Sequence, residues 1–113
     1  MHIKIIPNNF EEEAYNKTVY HPMQSWQWGE ARQAMGIEVL RITDGKNNFQ
    51  LTIHPIPHTS WKIGYLPRSV MPTNEVIKFL HEYGKKNKLI FIKIEPYRQH
   101  LQVAIDFIVT RDH

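Results

Sequence analysis

One helix followed by one strand constrains the fold of this chain more than any other feature. The helix is predicted over residues 73–84, with Thr73 as its N-cap and Gly84 as its C-cap. Its apolar stripe consists of Val76, Leu80 and Tyr83. The strand is predicted over residues 89–96, and it is the most apolar segment of the chain. One of its faces carries Ile90, Ile92 and Ile94. A strand of this kind is expected in the interior of a sheet.

Three strand-like segments precede this helix. They cover residues 37–42, 49–57 and 61–67. A strand over 2–7 and two helices, over 8–19 and about 24–35, come before them, and Gly36 is placed to end the second helix. A last element over 102–110 is expected to begin as helix and to turn into strand. The order β-α-α-β-β-β-α-β predicts an α/β fold, with a mixed central sheet and flanking helices.

Length and composition narrow the possible classes of protein. The chain has 113 residues, enough for one hydrophobic core, so we predict a single domain over 1–113. It has no cysteine, which excludes disulfides, cysteine-bound zinc and thiol catalysis. The net charge of +3 favours an anionic partner but is too small to identify a nucleic-acid binder. No secretion signal or membrane-spanning run is evident, so a cytoplasmic protein is expected.

The second predicted helix contains two tryptophans one residue apart, and both rings cannot face the same core. A helical wheel groups Trp28 with Ala31 and Met35 as the core stripe and puts Trp26 on the opposite side. Arg32 lies at the edge of the stripe, where its guanidinium can reach the rim of a pocket. Trp26 then has two interpretations: it packs against the preceding loop, or it offers a flat surface to a ligand.

Two places near strand ends carry charged side chains suited to a ligand. Lys93 and Glu95 share one face of the apolar strand, and Glu95 lies at its carboxyl end, where α/β sheets usually bind ligands. The alternative is a structural ion pair at the end of the sheet. Arg68 lies in the segment before the amphipathic helix, where it can hold a phosphate or carboxylate, or can simply be a solvated loop residue.

No motif in the chain indicates a metal or a cofactor. His54 and His58 are four residues apart, but Pro55 and Pro57 exclude the helix that would bring them to one face. The glycines are isolated, so neither a P-loop nor a dinucleotide-binding loop is present. We therefore predict neither a metal site nor a bound cofactor.

Three segments of the chain together resemble the Fem family, the peptidoglycan interpeptide-bridge aminoacyltransferases of the FemA, FemB and FemX type. The family's Q-S-x-x-W-x-x-x-(K/R) helix, its Y-x-P-R turn and its strand ending in (D/E)-P can all be located. They correspond to Gln24, Ser25, Trp28 and Arg32; to Tyr65, Pro67 and Arg68; and to Glu95 and Pro96. The Gly-Pro that usually follows the arginine is replaced by Ser69-Val70. Family members are also much longer, with two acetyltransferase-like (GNAT-type) domains, so the chain resembles an N-terminal part of the first.

The resemblance implies a cytoplasmic reaction in which an amino acid passes from aminoacyl-tRNA to the stem-peptide amine of a UDP-linked or lipid-linked peptidoglycan precursor. It implies that Arg32 contacts the phosphates of the precursor and that Glu95 orients the amine or accepts its proton. Trp26, Tyr65, Arg68 and Lys93 are the other expected substrate contacts. The tRNA would bind mainly to the part of such an enzyme that this chain lacks, so the chain alone is expected to be inactive.

Two other functions remain open on the sequence. One is an acyl-CoA-dependent N-acetyltransferase of the same broad fold, although no glycine-rich turn for a pyrophosphate is present. The other is a binding module without enzymatic activity. An incomplete sheet would also leave an unpaired edge strand, which predicts self-association.

Overall fold

The computed structural model describes residues 2–96 and the backbone of residues 105–108. The strands are β1 (Lys4–Ile5), β2 (Glu38–Thr43), β3 (Asn48–Pro55), β4 (Lys62–Ser69), β5 (Leu89–Pro96) and β6 (Ile105–Ile108). The helices are α1 (Glu12–Asn16), a 3₁₀ turn (Pro22–Gln24), α2 (Trp26–Ala34) and α3 (Asn74–Lys86). The predicted order of elements is confirmed, although β1 and α1 are shorter than predicted. The helical start expected for the last element, at 102–104, lies outside the described residues.

The six strands form one sheet in the order β1-β2-β3-β4-β5-β6. Four neighbouring pairs are antiparallel, and β4 and β5 are parallel because α3 carries the chain back between them. The strand β5 therefore lies between β4 and β6, inside the sheet, as predicted. The mixed α/β architecture expected from the sequence is confirmed.

The helix α3 covers the apolar face of the sheet. The buried core on this side consists of Leu40, Ile42, Phe49, Leu51, Ile53, Leu66, Val76, Leu80, Leu89, Ile92 and Ile94. Thr73 is the predicted N-cap, and its hydroxyl accepts a hydrogen bond from the amide of Val76 at 3.3 Å. Gly84 is not the C-cap, because the helix continues to Lys86. Gly84 is buried four residues after Leu80, on the same stripe of the helix.

The helix α2 lies on the opposite face, and its two ends are as predicted. The Ser25 hydroxyl accepts a hydrogen bond from the amide of Trp28 at 3.1 Å. At the other end Gly36 has a φ of 86°, which glycine adopts without strain. The amide of Ile37 donates to the Arg32 carbonyl at 3.0 Å, and the Gly36 amide donates to the Gln33 carbonyl at 2.9 Å. This pair of bonds is a Schellman motif, and it ends the helix.

The predicted core stripe of α2 is wrong. Trp26 is buried, with 4% of its surface exposed, whereas Trp28 is half-buried and Met35 is 65% exposed. The helix reaches the sheet through Gly29, since an ideal Cβ on this residue would lie only 2.1 Å from Gln50 Oε1. A wheel that ranks positions by large apolar side chains cannot detect a contact made by a glycine and a polar sheet residue.

Candidate functional site

The polar residues at the carboxyl ends of β4 and β5 form the candidate site. Tyr65 pairs with Lys93 in the strand register, and Glu95 pairs with Pro67. The Tyr65 hydroxyl donates a hydrogen bond of 2.6 Å to Glu95 Oε1. The Lys93 ammonium lies 3.9 Å from the other carboxylate oxygen, Oε2. These side chains share the sheet face opposite the apolar core, so the predicted pair of Lys93 and Glu95 is joined by a tyrosine from the neighbouring strand.

The surroundings of Tyr65 keep its hydroxyl protonated. Partial burial, the hydrogen bond to Glu95 and the negative charge of that carboxylate together raise the pKa of Tyr65 to about 12, against the opposing charge of Arg68. At neutral pH Tyr65 is therefore a donor and Glu95 an acceptor. The Tyr65 hydroxyl fixes one carboxylate oxygen of Glu95. The other oxygen faces the Lys93 ammonium at a distance that leaves room for a second amine to bind the same oxygen.

Arg68 occupies an irregular position at the end of β4. Pro67 pairs with Glu95 and Ser69 with Pro96, so Arg68 is an extra residue without a partner in the register. Its φ of 52° lies in the left-handed region, which costs a non-glycine residue about 1–2 kcal/mol. Such a bulge bends a strand and redirects a side chain, and bulges are common beside active sites. The sequence predicted Arg68 as a ligand contact but gave no sign of the bulge.

Gln24 replaces the missing strand pairing between β3 and β4. The two strands pair as far as Thr52 and Tyr65. Beyond that point Gln24 Oε1 accepts from the Gln50 amide at 2.8 Å, and Gln24 Nε2 donates to the Gln50 carbonyl at 3.0 Å and the Pro67 carbonyl at 2.6 Å. Pro67 has no amide hydrogen to continue the ladder. Gln24 is 2% exposed, so these bonds satisfy a buried side chain and hold the end of β4 in place.

The sequence identified Gln24 only as part of a motif before a helix, and its contact with β4 was missed. The available signal was Pro67 near the end of a predicted strand. A proline has no amide hydrogen, so the adjacent strand needs a hydrogen-bond partner from outside the sheet at that point.

The structure places Arg32 on α2, outside the cluster formed by Tyr65, Lys93 and Glu95. Its guanidinium carbon lies 4.6 Å from the centre of the Trp28 ring, and Nη1 approaches the Met35 sulfur at 3.5 Å. The buried Nε atom has no hydrogen-bond partner among the described residues. The stacking on Trp28 holds the guanidinium in one orientation, as a ligand contact requires.

Trp26 lies in the interior beneath α2, and its ring is not available as a ligand surface. The ring packs edge-on against Tyr15 with 5.5 Å between the ring centres. The Arg41 guanidinium carbon lies 3.8 Å from the centre of the Trp26 ring. The structure therefore favours packing within the protein over a ligand surface, and the partners of the ring include Tyr15 and Arg41, whereas the sequence predicted packing against the preceding loop.

Sequence reasoning also missed the buried polar network that supports Trp26. Arg41 is 2% exposed and donates to Gln50 Oε1 at 2.8 Å and to the Trp26 carbonyl at 3.2 Å. Gln50 Nε2 donates to the Ser25 carbonyl at 2.8 Å. Burial lowers the pKa of Arg41, against the opposing effects of Tyr15 and Glu30. The signal in the sequence was an arginine between Leu40 and Ile42 in an alternating strand, which places a charge on the second face.

The described residues contain neither a membrane-spanning helix nor a cluster of side chains suited to a metal ion. No helix in the described part of the chain is long and apolar enough to cross a membrane. Within residues 2–96 and 105–108, no group of three or more histidine, cysteine, aspartate or glutamate residues is placed to hold a metal ion.

Comparison with known proteins identifies a related fold. No protein-family model matches the chain, and no curated protein does. Among solved structures, the crystal structure of FemX matches with a TM-score of 0.61 and 24% sequence identity over 85% of this chain. The chain spans 27% of the length of that FemX chain. Similarity at this level of identity shows a shared fold, and it confirms, for the fold, the resemblance to the Fem family that the sequence predicted.

Proposed function

We propose that the chain is the N-terminal, precursor-binding part of the first acetyltransferase-like (GNAT-type) domain of a Fem-type aminoacyltransferase. The complete enzyme would transfer an amino acid from aminoacyl-tRNA to the stem-peptide amine of a UDP-linked or lipid-linked peptidoglycan precursor in the cytoplasm. The observation that carries this proposal is the hydrogen bond of Tyr65 to Glu95 at the carboxyl end of the parallel pair β4 and β5. Ligands of α/β sheets bind at such ends.

Glu95 is proposed to bind the acceptor amine. Tyr65 fixes Oε1 by a hydrogen bond, whereas Oε2 faces, among the described residues, the ammonium of Lys93 at 3.9 Å. An incoming amine can therefore hydrogen-bond to Oε2, which would orient the nitrogen or accept its proton. Lys93 and Arg68 supply positive charge beside the carboxylate, where the acidic groups of a stem peptide would bind.

Arg32 is proposed to contact the phosphates of the precursor, as the family resemblance implies. Its guanidinium is stacked on Trp28, so the group is oriented, and its terminal N–H groups can donate to phosphate oxygens. Trp26 would act indirectly, by holding α2 on the sheet through Arg41. The tRNA would bind mainly to the rest of the enzyme, so the isolated chain would not catalyse transfer. We also propose that copies of the chain associate with one another through an edge strand of the sheet.

The test is a titration of the chain with a UDP-linked muropeptide, followed by calorimetry and by NMR. Glu95→Gln keeps the shape of the side chain and removes its charge, and we expect it to weaken binding about tenfold, because a charged hydrogen bond contributes about 1.5–3 kcal/mol. Glu82→Gln is the matched control, since Glu82 is exposed on α3 on the other side of the sheet. It should bind like the wild type.

Two results would contradict the proposal. One is equal binding by Glu95→Gln and the wild type. The other is the absence of muropeptide binding by the folded protein together with saturable binding of acetyl-CoA, which would favour the N-acetyltransferase. Binding of neither ligand, to the chain or to a longer form containing the rest of the enzyme, would favour the non-enzymatic module.

A further inference from the structure

The net charge of the chain is concentrated in two segments. Of the 14 lysines and arginines and the 11 aspartates and glutamates in the chain, residues 54–62 and 81–88 contain four and one. Ten of each kind remain elsewhere, so these two segments account for the whole net charge of +3. We call their four basic residues, Lys62, Lys85, Lys86 and Lys88, the lysine patch.

The fold brings the two segments together at the amino ends of β4 and β5. The Lys62 amide donates to the Lys88 carbonyl at 2.9 Å, and Lys62 is the register partner of Leu89. The Lys88 ammonium lies 3.5 Å from the Ser60 hydroxyl. The hairpin before β4 and the turn before β5 therefore form one surface, at the opposite end of these strands from the candidate site.

The lysine patch keeps a positive charge in its surroundings. The three lysines in the last turn of α3 and the turn after it are exposed. Among the described residues, two carboxylates oppose the patch: Glu38 forms an ion pair with Lys62 at 3.5 Å, and Glu82 is exposed on α3. Four ammonium groups therefore face two carboxylates, and this end of the protein attracts an anionic surface.

An ordered hairpin holds a tryptophan beside the lysine patch. The hairpin between β3 and β4 carries Ile56, Pro57 and Trp61, and Trp61 is 37% exposed. The Ile56 amide donates to the Trp61 carbonyl at 2.9 Å, and the Trp61 amide donates to the Thr59 hydroxyl at 3.1 Å. The ring is therefore held at the surface next to Lys62. Tryptophan is enriched where a bilayer meets water, because its ring is stable among the headgroups.

We propose that the lysine patch and Trp61 form a docking surface for an anionic membrane. Lysines close to an anionic bilayer are each attracted to it, and their long stems let the ammonium groups reach the headgroups. The patch contains no arginine, the residue whose planar fork nucleic-acid surfaces use to bind phosphates bidentately. An anionic bilayer therefore fits this surface better than RNA does.

Membrane docking would select one of the two acceptors in the proposed function, and the inference rests on that function for this consequence alone. Helix α2 begins where Gln24 binds the Pro67 carbonyl, and it leads into β2, whose Glu38 pairs with Lys62 at the other end of β4. Arg32, in the last turn of α2, therefore lies between the amine site and the lysine patch. A lipid-linked precursor would extend from the bilayer past Arg32 to Glu95, so it is the favoured acceptor.

The test is sedimentation of the chain with vesicles of phosphatidylcholine alone, and of phosphatidylcholine and phosphatidylserine in equal parts. We expect binding only to the anionic vesicles, and weaker binding as the salt concentration rises. The variant that combines Lys85→Gln, Lys86→Gln and Lys88→Gln should bind about 100-fold more weakly, because each lysine near such a surface contributes about fivefold. Glutamine has a helix propensity close to that of lysine, so α3 should be retained.

The matched control removes three exposed lysines that lie away from the patch, by Lys4→Gln, Lys17→Gln and Lys46→Gln. Lys4 pairs with Thr43 and Lys46 lies in the turn between β2 and β3, both at the opposite end of the sheet, and Lys17 follows α1. The two triple variants have the same net charge and differ only in its position. The control should bind within about twofold of the wild type, because salt screens charges so far from the bilayer.

Fluorescence tests the contact of Trp61 with the bilayer. Emission should shift to shorter wavelength when the wild type binds anionic vesicles, as the exposed ring leaves water. The shift should be absent in Trp61→Phe, because Trp26 is already buried and Trp28 lies on α2 against Arg32. A shift that persists in Trp61→Phe would contradict the proposed contact.

The inference is overturned if the folded chain does not bind anionic vesicles, or if the two triple variants lose affinity equally. Binding to transfer RNA that depends on the lysine patch, without binding to vesicles, would assign the surface to RNA instead. The inference can also fail separately from the proposed function. Muropeptide binding that depends on Glu95, without vesicle binding, would disprove the membrane surface and leave the function standing, and vesicle binding without muropeptide binding would do the reverse.

Discussion

The two faces of the sheet are covered by helices that pack in opposite ways. On one face α3 buries Val76 and Leu80 in an apolar cluster with isoleucines and leucines of the sheet. On the other face α2 approaches Arg41 and Gln50 through Gly29 and the Trp26 ring, and the contact consists of hydrogen bonds and stacking. The site residues Tyr65, Lys93 and Glu95 lie on this second face.

The difference explains where polar chemistry is possible in this protein. An apolar face can be closed completely by a helix, as α3 closes its side. A face that carries arginine, glutamine and tyrosine must satisfy each group with a partner, and it can leave some groups open to a ligand. Stability should therefore depend on the volume of the buried side chains under α3. Under α2 it should depend on the geometry of the hydrogen bonds and on how closely the helix approaches the sheet.

The largest effect is expected from a cavity under α3. Leu80→Ala removes a fully buried side chain, and we expect it to lower the free energy of unfolding by about 3 kcal/mol, within the usual range of 2–5 kcal/mol. Urea denaturation followed by circular dichroism measures the change. Lys78→Ala, on the exposed side of the same helix, should change it by less than about 0.5 kcal/mol. A loss under about 1 kcal/mol at Leu80 would mean that α3 does not close the core as described.

The corresponding test of α2 adds volume instead of removing it. Gly29→Ala would place a methyl group 2.1 Å from Gln50 Oε1 and 2.5 Å from Arg41 Nη2, so one of these hydrogen-bonded groups must move. Overpacking costs about 1–3 kcal/mol, against a helix-propensity gain of about 1 kcal/mol. We expect a net loss of about 1 kcal/mol in urea denaturation, within the range of about 0–2 kcal/mol that these two contributions allow.

Ala31→Gly is the control for helix propensity, because Ala31 is exposed on α2. This variant should lower the free energy of unfolding by about 1 kcal/mol. If Gly29→Ala stabilised the protein instead, propensity alone would govern this position, and the close contact of α2 with the sheet would be disproved.

The same contrast explains how much of the fold the sequence predicted. The strand positions, the order of elements and the helix α3 were predicted from local patterns of apolar residues. These predictions agree with the structure because apolar contacts form the side of the sheet that α3 covers. The buried face of α2 was predicted incorrectly, since its contacts come from Gly29 and from polar residues of β2 and β3. No periodicity of large apolar residues can show such a contact.

The candidate site was predictable only in part. Alternation along β5 placed Lys93 and Glu95 on one face at the carboxyl end, the position of Arg68 before α3 made it a candidate ligand contact, and the motif resemblance added Tyr65. What could not be predicted was the hydrogen bond between strands, because the register of β4 against β5 depends on the whole sheet. The bridge from Gln24 to Pro67 spans 43 positions in the chain and is equally nonlocal.

The N-caps offer a control in which the two helices should behave alike. The hydroxyls of Ser25 and Thr73 each accept one amide hydrogen bond at the start of α2 and α3. Replacing either with alanine should cost about 1 kcal/mol, because the free amides of the first turn lose a partner on either face. Thermal and urea denaturation of Ser25→Ala and Thr73→Ala measure this. A loss several times larger for one cap would show that it also holds its helix against the sheet.

The smallest effect is expected at Tyr65, and it depends on pH. Tyr65→Phe removes the hydrogen bond to Glu95 from a half-buried site and should lower the free energy of unfolding by about 0.5 kcal/mol at neutral pH.

The pKa of Tyr65 is raised to about 12, from about 10 in an unfolded chain, so the folded state favours the neutral hydroxyl. The contribution of this group is therefore complete below about pH 10 and is lost as the pH rises through about 12. Unfolding free energies of the wild type and Tyr65→Phe should converge over that interval, whereas Tyr15 and Tyr83, whose pKa values are also raised, affect both proteins equally. A constant difference across the interval would mean that Tyr65 does not donate to Glu95, and that the polar face lacks the bond on which the proposed amine site depends.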